Sequence, residues 1–188
     1  MTDASSRRFA FFVSSAREEG NTETLARAAA AALPAGVEQR WLRLAELPLP
    51  AFVDIRHASG VYPQPEGHEA TLADATLWAT DLVVVSPVYW YSLSASAKLY
   101  LDYWTAWLRV QGMDFKARMG GRRLWGVTVT SDAEDLDDEI TAPLSGTLRL
   151  TAGYMGMQWG GMLIGHGNRP GDIAGDGPAF ERAKTFFT

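Results

Sequence analysis

The chain has 188 residues, 47% hydrophobic and 21% charged, which is ample for one globular domain (residues 1–188) with a core of its own. Its net charge of -5 argues against a nucleic-acid binder, and the absence of cysteine removes disulfides, thiol nucleophiles, thiolate zinc sites and iron–sulfur clusters. Three histidines without His-x-x-x-His spacing speak against metal catalysis, so any redox chemistry would need an organic cofactor.

In chain order, Phe9–Val13 reads as a buried strand and Glu23–Leu33 as a helix stopped by Pro34. Val37–Leu44 alternates imperfectly, as an edge strand does, with Val37, Gln39, Trp41 and Arg43 on one side and Leu42 and Leu44 on the other. Residues 45–67 form a Pro-rich polar loop, and loops of this length are more often functional than idle. Its Phe52, His57 and Tyr62 are candidates to shape a substrate site. A helix over Glu69–Ala79 leads into Asp81–Ser86, a Val-rich run typical of a strand buried on both faces. Leu93–Val110 reads as a helix, Arg123–Thr130 as a strand, and Asp135–Ala152 as a helix with Pro143 near its middle, a place for a kink or a break. A strand over Met157–Ile164 and a helix over Ala179–Phe187 close the pattern. No apolar run is long enough to span a bilayer, and the N-terminus lacks the apolar segment of a signal peptide; a cytoplasmic protein without membrane contact is expected.

Five strands and five helices in alternation imply a parallel sheet covered on both faces. Two three-layer orders fit. In the flavodoxin-like order 2-1-3-4-5 the switch point lies between strands 1 and 3, and ligands bind at the carboxyl ends of those two strands. Those two ends carry the unusual loops of this sequence, so a flavodoxin-like α/β sandwich is the expected fold.

The first of these loops follows Phe9–Val13. The strand ends in Ser14-Ser15, turns through Gly20 and enters an alanine-rich helix through Asn21-Thr22. Backbone N–H groups and short hydroxyls at a helix N-terminus can hold a phosphate without a lysine. Ser15, Asn21 and Thr22 are the candidate contacts, and Arg17 either adds a charge-assisted contact or stays a solvated loop residue. The plainer alternative is that Asn21 or Thr22 merely caps the helix while Gly20 makes the turn. In the second loop, Pro87 ends the strand because it cannot donate to the ladder. Val88, Tyr89 and Trp90 then stand at the rim of the sheet, where a planar ring could lie against them, and Ser94 suits the N-cap of the next helix. Alone, such aromatics often only plug the top of a core; beside a phosphate-type loop the ligand reading becomes the better one.

Within the 94–110 helix, Ala97, Leu101, Trp104 and Leu108 share one arc that Tyr100, Tyr103 and Trp107 extend sideways, opposite Lys98, Asp102 and Arg109. The Tyr/Trp half is a candidate subunit interface, or else a broad core face covered by the chain's own loops.

The segments Ser15-x-Arg17-x-x-Gly20-Asn21-Thr22 and Pro87-Val88-Tyr89-Trp90, followed by Ser94-Ala95, Lys98 and Asp102, resemble the NADPH-dependent FMN reductase family, and the likeness covers most of the chain. The resemblance implies bound FMN, its phosphate at Ser15–Thr22 and its isoalloxazine edge along Pro87–Trp90, with NADPH or NADH as reductant and a homodimer as the assembly. It also implies a third contact after the fourth strand, here at Ser131. The acids of Asp132-Ala133-Glu134-Asp135-Leu136-Asp137-Asp138 depart from the family's pattern, and most are expected to lead the next helix, where its dipole favours them. The run Gly165-His166-Gly167-Asn168-Arg169-Pro170-Gly171 resembles the family's segment after the fifth strand, although locally it reads as a surface turn, His166 included.

Two functions remain in play. One is a flavoenzyme moving hydride from NAD(P)H through FMN to a small acceptor such as a quinone, a free flavin or an azo compound. The other is a flavodoxin-like electron carrier that meets redox partners through an acidic face, which the 132–138 acids could supply. A phosphoacceptor domain would need acids where Ser14 and Ser15 stand, and no Gly-x-Ser-x-Gly elbow marks a serine hydrolase. No side chain stands out as catalytic.

Overall fold

The computed structural model describes residues 7–131 and 137–188. Five strands, β1 (Arg8–Val13), β2 (Glu38–Arg43), β3 (Asp81–Val85), β4 (Arg123–Thr130) and β5 (Gln158–His166), form one parallel sheet in the order β2-β1-β3-β4-β5. Register is regular between β1 and β3, from Phe9 opposite Asp81 to Val13 opposite Val85. The expected topology is the observed one.

Side-chain alternation along each strand divides the core in two. Ala10, Phe12, Leu82, Val84 and Leu124 point to one face, covered by α2 (Gly67–Trp78), α3 (Ala95–Trp107) and α5 (Asp137–Tyr154). Phe9, Phe11, Val13, Val83, Val85 and Trp125 point to the other, covered by α1 (Asn21–Ala31) and α6 (Gly177–Ala183). The central strands β1 and β3 read as nearly continuous apolar runs because both their faces are dry. A short helix that the sequence pattern did not reveal, α4 (Phe115–Met119), tucks its buried Phe115 edge-on to Trp104 and Trp107.

Packing decides three points that the sequence leaves open. Pro143 does not break α5, which runs as one helix through it. Ile140, Leu144, Leu148 and Ala152 lie along a single buried stripe, and that packing holds the helix past the missing N–H. The Tyr/Trp half of α3 is not a bare interface: Tyr100, Tyr103, Trp104 and Trp107 are buried within this chain. The 45–67 loop covers them, Tyr103 donating to the Pro50 carbonyl at 3.1 Å while Phe52 packs edge-on against its ring. That loop is therefore a core lid: Phe52 and Tyr62 stack with each other against α3, His57 is exposed, and none of the three borders the site described next.

Candidate functional site

The carboxyl ends of β1, β3 and β4 open into one cavity of about 360 Å³, within the size range of small-molecule sites. All nine sequence-predicted residues line it: Ser15, Arg17, Asn21 and Thr22 from the first crossover, Pro87, Val88, Tyr89 and Trp90 from the second, and Ser131 after β4.

The first crossover is tightly built. Ser14 Oγ donates to the Val85 carbonyl at 3.1 Å, fastening the end of β1 to the end of β3. Ser15 Oγ accepts from the Arg17 N–H at 3.2 Å, which turns the loop and leaves the hydroxyl proton to donate elsewhere. Gly20 lies so close beneath that a Cβ there would come 3.0 Å from Ser15 Oγ. It is also the N-cap of α1, and no side chain caps the helix. The first-turn N–H groups thus remain for an outside acceptor, which α1's dipole favours as an anion. Thr22 is buried in that turn. Asn21 does something else with its side chain: Nδ2 donates to the Arg169 carbonyl at 2.8 Å and Oδ1 accepts from the Gly171 N–H at 2.9 Å. It pins the segment after β5 to the phosphate-type loop, so any ligand contact from Asn21 falls to its backbone.

The second crossover is a small lobe closed at its base. Ser86 Oγ accepts from the Ser94 N–H at 3.0 Å, and Ser94 Oγ accepts from the Ala97 N–H as the N-cap of α3. At the tip, Tyr89 and Ser92 exchange backbone hydrogen bonds, both 3.1 Å. The two residues between them have φ of 51° (Trp90) and 60° (Tyr91), the geometry of a type I′ turn, normally an Asn-Gly site. Holding two bulky residues there stores strain, and such strain collects at ligand sites. Trp90 is 94% exposed and Tyr91 60%, so the tip carries its aromatic rings outward rather than into the core.

A third wall comes from the segment after β5. Gly167, Asn168 and Pro170 border the cavity with Thr130 and Ile140. A Cβ at Gly167 would fall 2.9 Å from the Ile173 N and 3.0 Å from Asn21 Nδ2, so the close approach requires glycine. His166 is not part of a surface turn: it ends β5, half-buried, and both its backbone N–H (2.8 Å) and its Nδ1 (3.1 Å) meet Asp176 Oδ2. Burial pushes the Asp176 carboxyl up, but the Ala179 N–H, then the His166 N–H and ring, outweigh it and hold the group below the usual carboxylate range. The signal for this wall was present in Gly165–Gly171. The expected acidic run at 132–136 lies outside the described residues, while Asp138 stands exposed in the first turn of α5.

The donor set suits a flavin mononucleotide: a phosphate monoester matches an uncapped helix end with short hydroxyls, and a flat ring edge matches Pro87–Tyr89. Such a crevice at the switch point of a 2-1-3-4-5 sheet defines a flavodoxin-like nucleotide-binding protein. Residues 7–134 match the family model described as NADPH-dependent FMN reductase, and the chain belongs to that family. A curated relative in Bacillus subtilis (strain 168), YwqN, named as an NAD(P)H-dependent FMN-containing oxidoreductase, is 30% identical over 89% of each chain. Among solved structures, the Trp repressor binding protein from Bacillus subtilis superposes with a TM-score of 0.73 at 25% identity, covering 96% of this chain and 97% of its own. The NAD(P)H:quinone oxidoreductase from Methanothermobacter marburgensis shares the fold with a TM-score of 0.67 at 16% identity, over 95% and 96% of the two chains. The chain is thus an oxidoreductase that works with FMN and a reduced nicotinamide cofactor.

Proposed function

We propose that this chain takes hydride from NADPH or NADH onto FMN held in the cavity and delivers the electrons to a small acceptor, a quinone, a free flavin or an azo compound. The observation that carries the reading is the single cavity joining the phosphate-type loop to the aromatic loop. Bound FMN supplies the two-electron chemistry; the chain binds, orients and shields it. In this reading the Ser15 and Thr22 hydroxyls and the first-turn N–H groups of α1 grip the phosphate, with Arg17 adding charge. Pro87, Val88 and Tyr89 lie along the ring, Trp90 borders the mouth, and Ser131 closes the third side. The acceptor class is supported by fold neighbours that include a quinone oxidoreductase and an azoreductase from Bacillus anthracis str. Sterne.

We further read 1–188 as one domain acting as a cytoplasmic homodimer with small molecules, not nucleic acid, as its partners. With its Tyr/Trp residues buried, α3 would use the half-buried Leu101 and Leu108 at the edge of that face for such contact. No helix among the described residues is long and apolar enough to cross a membrane.

The test is a visible spectrum of the purified protein, flavin release and identification, then NADPH or NADH oxidation with a quinone. Colourless protein that also fails to bind added FMN would end this reading. Flavin-loaded protein without steady turnover would indicate a carrier instead.

A further inference from the structure

Behind the phosphate-type loop, outside the cavity, runs a ladder of charges. At its foot, the Arg27 guanidinium lies 3.5 Å over the Trp41 ring on the edge strand β2. Arg27 also pairs with Glu23 at 3.0 Å, one turn back along α1. The Glu23 carboxylate is buried in the first turn of α1, and Arg43, the last residue of β2, meets its second oxygen at 2.6 Å. Arg43 Nη1 finally reaches the Arg17 carbonyl at 3.4 Å. One guanidinium therefore joins the edge strand, the first helical turn and the loop between Ser15 and Gly20.

A buried carboxylate in the first turn of α1 is awkward beside a site meant for a phosphate dianion. Other acids add to the problem: Glu18 borders the cavity, Glu19 is exposed beside it, and Glu46 stands 3.5 Å from Arg43 Nε. Against these stand Arg17, Arg27 and Arg43. Without Arg43, Glu23 keeps only its half-exposed partner Arg27 among the described residues, and the loop loses a tie to the edge strand.

We infer that Arg43 is a positioning residue for the phosphomonoester of FMN: it neutralises Glu23 and holds the 15–20 loop in its binding shape without touching the ligand. This rests on the phosphate placement proposed above and adds to it a residue that does not line the cavity.

Riboflavin, which lacks the phosphate, separates this role from a general one. Dissociation constants for FMN and riboflavin are measured by flavin fluorescence on flavin-stripped wild type, Arg43→Gln and Arg43→Lys. Wild type should prefer FMN. Arg43→Gln should weaken FMN about tenfold, a change of roughly one charge-assisted hydrogen bond, and leave riboflavin unchanged. Arg43→Lys keeps the charge on Glu23 but cannot reach the Arg17 carbonyl at the same time, so it should fall between the two. An Arg43→Gln protein that retains the wild-type preference, or that loses both flavins equally while Arg43→Lys behaves as wild type, overturns the inference. A wild type that shows no preference for FMN over riboflavin defeats the phosphate placement itself.

Discussion

The two edges of the sheet use similar residues to opposite ends. At the amino edge, Asp81 is buried and saturated: Arg7 meets it through Nε (3.1 Å) and Nη2 (2.6 Å), the Trp125 indole N–H donates at 3.0 Å, and Thr80 Oγ1 at 2.8 Å. Nearby, Arg122 donates to the carbonyls of Thr76, Leu77, Ala79 and Arg118, closing the ends of α2 and α4 together. At the carboxyl edge, α1 begins without a cap, Ser15 keeps a proton to give, and the Trp90-Tyr91 turn is strained and exposed. Satisfied polar groups make an edge stable, whereas groups left for a missing partner make the other a binding site.

Breaking the amino edge should cause the largest loss of stability. Asp81→Ala takes the carboxylate from the part-buried Arg7, which keeps only its contacts to the Phe187 carbonyl and the Phe9 ring among the described residues, and leaves the Trp125 N–H without its acceptor, a cost of about 3 kcal/mol. For a domain of this size that lowers the melting temperature by roughly 10 °C. The ratio of FMN to riboflavin affinity should stay unchanged, and a shift in that ratio would mean the two edges are coupled. At the carboxyl edge the pattern reverses. Ser15→Ala should cost little stability but weaken FMN about tenfold, near 1.4 kcal/mol, read by flavin titration alongside a thermal melt.

The contrast also explains what the sequence disclosed. The sheet order and both crossovers were legible because their cues are local: unbroken apolar runs such as Leu82–Val85, Gly20 before an alanine-rich helix, Pro87 ending a strand. What escaped depends on distant partners. Asn21 looks like a cap or a ligand contact until Arg169 and Gly171, about 150 positions away, are seen to occupy its side chain. The Tyr/Trp half of α3 reads equally as an interface or as a loop-covered core face until the 45–67 loop is seen folded over it. His166 looks like a turn residue until Asp176 fixes it at the end of β5.

Smaller effects sharpen the comparison. Trp90→Gly with Tyr91→Gly relieves two left-handed backbones, partly offset by glycine's entropy, so the pair should raise stability by about 1 kcal/mol. If the strain serves ligand capture, the same variant should raise the KM for the acceptor; a more stable enzyme with unchanged KM would remove the tip from the site.

The least effect is expected at Asp176, which supports the third wall through His166. Its folded carboxyl sits below the ordinary value, near 3.9 when unfolded, because the Ala179 and His166 donors outweigh burial. The stabilisation it lends is therefore complete above about pH 4 and disappears as the pH falls through the lower folded value. Asp176→Asn keeps an acceptor for the Ala179 N–H but lacks the charge at every pH. Unfolding free energies from urea titrations of the two proteins should differ by roughly 0.5 kcal/mol at pH 7, the difference between a charged and a neutral acceptor, and converge as the pH falls through the folded value. A gap that persists unchanged to pH 2 would show that the Asp176 contacts act by shape alone, and that the wall bordering the cavity owes nothing to charge.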